Sequence, residues 1–157
     1  MTYSDAAREQ NRDHTMETSV NWNTKTLFQR GGIDVVTGTQ GGGPYRYVDV
    51  KQGVLVRKAF SANLEASLVR AGEFHATQQI LTGTYRLNPA QTVGCRVVRQ
   101  TGHDPTVDPG AQPPKGTNLF LSFSQHARSG SDYFLLIGDP NSVRSRGLIT
   151  FKVLRPL

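Results

Sequence analysis

Three short apolar runs within the last forty residues constrain the fold more than any other feature of the chain. They are Asn118 to His126, Asp132 to Pro140 and Gly147 to Leu157, split by Gly, Pro, Ser, Asn and Arg. The first places Leu119, Leu121 and Phe123 on one face and Ser122 and Ser124 on the other. The last sets Ile149, Phe151 and Val153 against Thr150 and Lys152. A period of two, punctuated by turn residues, reads as consecutive antiparallel strands. The middle run, Tyr133 to Ile137, is apolar at every position, which predicts a strand covered on both sides.

The same reading extends upstream. Trp22 to Arg30 and Ile33 to Thr37 are strand candidates divided by Gly31-Gly32, and Gly38 to Pro44 reads as a flexible loop. Tyr45 to Val50 alternates, and Lys51-Gln52-Gly53 has the composition of a tight turn before Val54 to Phe60. Ser61 to Gly72 fits two periods. Local propensity, a Ser61 cap and a Gly72 stop favour a short helix, and the alternation of Phe60, Ala62, Leu64, Ala66 and Leu68 fits a strand as well. Phe74 to Leu81, Thr82 to Leu87 and Val93 to Gln100 give further strands, and Thr101 to Thr117 is a long loop with four prolines. Residues 1–20 are polar and without apolar periodicity, which predicts an extended N-terminal arm, with one helical turn across Ser4 to Gln10, before a single β domain over 21–157.

The chain is 36% hydrophobic and 19% charged, with 16 glycines, a balance typical of turn-rich β proteins. Its net charge is +6, distributed as −2 over residues 1–20 and +8 over 21–157. A basic body attracts nucleic acid or another polyanion. The single cysteine, Cys95, allows no internal disulfide and lies on the apolar side of a strand pattern, as a small core residue does. The first twenty residues carry no apolar core of a signal peptide, and no run approaches the roughly 20 apolar residues of a membrane helix. No membrane partner is expected.

Catalytic signatures are missing. There is no Gly-x-Ser-x-Gly, His-Glu-x-x-His, Cys-x-x-Cys or phosphate-loop lysine, and the glycine run at 41–43 is followed by a strand pattern. His103, Asp104 and Asp108 have ligand chemistry but lack a second histidine cluster, so no metal and no cofactor is expected. The catalytic chemistry compatible with the composition is metal-independent ribonuclease action by His75, His103 and His126, which requires them to converge on one phosphate.

The C-terminal stretch resembles the last two strands of the jelly-roll coat proteins of small icosahedral plant and satellite viruses. The positions are Tyr133 to Asp139, the loop Pro140 to Arg146, and the final strand Gly147 to Pro156. The resemblance implies an antiparallel jelly-roll sandwich or barrel and a non-enzymatic capsid shell or decorating subunit. Such a subunit is made in a host cytoplasm, resides in the virion and associates with its own copies or other capsid subunits. Coat proteins of this kind neutralise packaged RNA with a basic arm. This arm is acidic on balance, so genome contact would fall to Arg57, Lys58, Arg96, Arg99, Arg144 and Arg146. The alternative is a basic β-barrel that binds single-stranded nucleic acid through Tyr45, Arg46, Tyr47, Arg57 and Lys58.

Overall fold

The computed structural model describes residues 2–8, 11–24, 29–56 and 59–155. Ten strands form one antiparallel sheet: β1 (Thr2–Arg8), β2 (Asn11–Thr24), β3 (Gln29–Gln40), β4 (Gly43–Val56), β5 (Phe60–Ala71), β6 (Phe74–Asn88), β7 (Gln91–His103), β8 (Gly116–His126), β9 (Asp132–Ile137) and β10 (Ile149–Leu154). Their spatial order is their sequence order, so every connection joins neighbours. β1 and β10 each pair with one strand, and the sheet is open.

This meander corrects the jelly-roll expectation. A jelly roll folds two sheets face to face through connections that skip strands. Here no strand is skipped and one sheet holds them all. The three C-terminal strands are β8, β9 and β10, paired in turn as their alternation predicts. The 61–72 segment is β5, with partners on both sides from Phe60 to Ala71. Helix propensity from Leu, Ala and Glu is worth a few tenths of a kcal/mol per residue, which two flanking ladders override. The N-terminal residues likewise carry strand, with β1 over the span expected to hold a helical turn and β2 crossing residue 20.

Glycines expected to separate strands lie inside them. Gly31 and Gly32 are in β3, and Lys51-Gln52-Gly53 is in β4. The β3–β4 reversal sits instead at Gly41-Gly42, both at positive φ. Inside the strands, neighbours fill the missing side chains. The Trp22 indole lies on Gly31 and donates from Nε1 to Gln52 Oε1 at 2.9 Å, while the Asn63 amide lies over Gly53.

Two irregular segments pack on one face of β6–β8. Residues 104–115 include a 3-10 turn at Pro109–Ala111, and Pro113 sits against Gly102 and Ala76. Gln112 fixes this segment: its Nε2 donates to the carbonyls of Asp104 (2.6 Å) and Val107 (3.0 Å), and its Oε1 accepts from the Asp104 amide (3.0 Å). Residues 138–148 continue where β9 stops. Ser145 N donates to Thr117 O, and Leu119 N donates to Ser145 Oγ. Under these segments Val98 is the one buried hydrophobic side chain among the described residues.

Candidate interaction surface

Register alone sorts the side chains onto two faces, because directly opposed residues point the same way. The row Trp22, Gly31, Gln52, Leu64, Leu81, Val97, Leu119 crosses seven strands on the front face. The next front row towards one end of the strands is Val54, Ala62, Gly83, Cys95, Leu121, Ile137, Ile149. Beyond it runs Val56, Phe60, Tyr85, Val93, Phe123, Leu135, Phe151. The described residues include eighteen exposed large apolar side chains. Leu148 is in a loop, Leu87 at the β6–β7 bulge and Leu154 on the back. The other fifteen are all on the front. Tyr133 to Ile137 is therefore not covered on both sides: Leu135 and Ile137 are open on the front, and Phe134 and Leu136 are half-buried.

Area measures the consequence. A compact monomer of 17.3 kDa exposes about 7,800 Å2 by the usual scaling with mass. This chain exposes 11,424 Å2. The difference, roughly 3,600 Å2 per chain or about 7,200 Å2 for two copies, is as large as obligate assemblies bury in total. Part of the front is concave. Phe123, Gln125, Ala127, Tyr133, Leu135 and Phe151 line a hollow of about 610 Å3, with the Tyr133 and Phe151 rings stacked at 6.4 Å.

The back face is polar. Its row Asn21, Gly32, Lys51, Glu65, Ile80, Val98, Asn118 borders a second row through Asp34 and Asp49. Asp49 is 2% exposed, stands directly opposite Asp34, and pairs through Oδ2 with Lys51 Nζ at 2.6 Å. The hydrogen bond and charge of Asp49 hold the Lys51 ammonium above its ordinary pKa of 10.5. Arg30, Asp34, Lys51 and Glu65 line a shallow hollow of about 420 Å3 whose charges balance.

The residues expected to contact nucleic acid do not form one patch. Arg57 and Lys58 lie outside the described residues. Arg96 is on the back, where Nη1 donates to the Pro140 carbonyl at 3.1 Å. Arg144 donates from Nε to the Lys115 carbonyl at 3.3 Å, and Arg146 is exposed on the same loop. Arg99 is three residues from Arg96 and therefore on the front, separated from the others by the sheet. Tyr45 and Tyr47 flank Arg46 on the opposite face from it.

Two of the three histidines come together. His75 and His103 are directly opposed on the front, with ring centroids 5.6 Å apart. His126 is on the back at the other end of β7–β8, bonded through Nδ1 to Asp132 Oδ1 at 2.6 Å. No group of three or more His, Cys, Asp or Glu with metal-binding geometry occurs among the described residues. Asp104 is engaged locally: Oδ1 accepts from the Thr106 amide (2.9 Å) and hydroxyl (2.6 Å), which holds its carboxyl below the ordinary 3.8.

Sequence reading located the apolar alternation but not its exposure, since alternation reports sidedness and not what covers the side. It also missed the front row Arg46, Arg70, His75, His103, whose members are scattered along the chain and meet only through register. The chain matches no protein-family profile, no curated protein and no solved structure.

Proposed function

We propose that this chain is a non-enzymatic structural subunit that works by self-association, its apolar front face buried against a second copy. One observation carries the reading: fifteen exposed large apolar side chains share one face of an open single-layer sheet. An uncovered apolar face of that extent marks an interaction site. A second copy suits it better than lipid does. Gln52, Gln79 and Arg99 interrupt the middle rows of the face, and groups of that polarity are costly against hydrocarbon. A protein partner can hydrogen-bond them.

Charge selects the arrangement. Arg46 and Arg70 stand near one end of the strands, and Phe60 and Tyr85 at the other. A two-fold axis across the strands carries the cationic ends of the two copies to opposite ends of the assembly, each at the rim of the covered rows. An axis along the strands would oppose like charges. A virion is the setting we propose for such a subunit, as capsid shell or decorating protein. Its support is the C-terminal sequence pattern, whose two strands are β9 and β10 and whose loop is 138–148.

The test is a charge placed in the centre of the face. Leu81 and Val97 are directly opposed there. Leu81→Asp should weaken association by roughly 3 kcal/mol, over a hundredfold, when read by sedimentation against concentration. Lys152→Glu, a charge change of −2 against −1 for Leu81→Asp but on the exposed back of β10, should change nothing. Equal behaviour of the two variants contradicts the front face as the interface.

A further inference from the structure

We propose that Arg46, Arg70, His75 and His103 form a ladder that binds successive phosphate groups of an extended anion, a nucleic-acid strand or a free oligophosphate. The four residues occupy one cross-strand row on β4, β5, β6 and β7: Arg46 opposes Arg70, Arg70 opposes His75, and His75 opposes His103. Adjacent strands are about 4.8 Å apart, so the row is about 14 Å long, enough for two or three phosphates in series. All four side chains are exposed.

The row carries no counter-charge of its own. Like charges directly opposite each other destabilise a sheet. From β2 to β10 the front face carries no Asp or Glu, so neither arginine has a carboxylate on its own face. Three other cations among the described residues have local partners: Lys51 has Asp49, Arg96 the Pro140 carbonyl and Arg144 the Lys115 carbonyl. Carboxylates stand beyond the row at Glu73, in the β5–β6 turn, and at Asp104, which accepts from Thr106 and also feels the charge of His103. An anion laid along the row relieves the Arg46–Arg70 repulsion and accepts guanidinium and imidazole N–H bonds. The adjoining front positions are Val48, Leu68, Thr77 and Thr101, with the two threonine hydroxyls bonded to each other at 2.6 Å. None offers an aromatic ring to a base, so the ladder reads phosphate and not sequence. The row lies beside the Gly41-Gly42 and Gly72-Glu73 turns, at the rim of the apolar rows. The inference does not depend on what covers those rows.

The experiment is fluorescence anisotropy of the full chain with a labelled twelve-nucleotide oligothymidylate at 50 to 200 mM salt, competed with inorganic tripolyphosphate. Binding should weaken with salt. The double variant Arg46→Gln/Arg70→Gln should lower the slope of log affinity against log salt by about 1.4, two phosphate contacts on a single strand. Arg46→Lys/Arg70→Lys should keep the slope, and so should Arg144→Gln/Arg146→Gln on the other side of the sheet. Competition by tripolyphosphate, or its binding alone, supports a free oligophosphate as ligand. Binding of the oligonucleotide without competition supports a nucleic-acid strand. No binding of either anion at 50 mM salt overturns the ladder, as does an unchanged slope in the glutamine variant or equal loss in the lysine variant.

Discussion

At the scale of single residues, this protein is held by side chains bonding to nearby backbone more than by a core. The Asp104–Thr106 contact is the clearest example, since two hydrogen bonds from one residue hold the Asp104 carboxyl below its ordinary value. A lowered carboxyl pKa adds stability that is present above pH 3.8 and is lost as pH falls through the folded value. Thr106→Val removes the hydroxyl donor and keeps the amide. The Asp104 pKa should therefore rise part of the way back to 3.8 in an NMR titration of side-chain carboxyls, and no movement would refute the assignment. Trp22 shows what a sequence can hold without displaying it. A lone tryptophan near the start of the domain draws the eye, and its half-buried ring lies across the front of β3. Its partners, Gly31 beneath the ring and Gln52 at the indole nitrogen, follow only from register.

Among the elements, strands were legible wherever alternation was clean, as in β8 and β10, and boundaries failed at glycines. Gly31 and Gly53 read as breaks because glycine is a weak strand former, but a neighbouring side chain restores the surface each one lacks. β5 was illegible for another reason: its residues satisfy two periods, and only the flanking β4 and β6 decide between them. One glycine does end a strand as its type suggests. Gly138 follows β9 at φ +94°, with the Leu119 carbonyl oxygen 2.5 Å from where a Cβ would stand. Gly138→Ala should cost about 1–3 kcal/mol through forced positive φ, with the clash adding to it. A urea midpoint equal to that of the parent chain would show that the 138–148 segment does not need this turn.

For the whole molecule, strand order was the least legible property. Eight or more short strands suit a jelly roll and a meander alike, and alternation does not say which strand lies beside which. The short connections at Gly41-Gly42, Gly72-Glu73 and Pro89-Ala90 carried the better signal, since a two-residue turn leaves adjacent strands no choice but to pair. The candidate surface was half legible. Its apolar residues were visible as alternation, and its exposure depends on the sheet remaining a single open layer. The proposed self-association rests on that exposure: an apolar sheet of this area suits completion by another copy. Mass by light scattering on the purified full chain tests this most directly. The account predicts a species of at least twice 17.3 kDa that persists on dilution to micromolar concentration. A monodisperse 17.3 kDa monomer would contradict it.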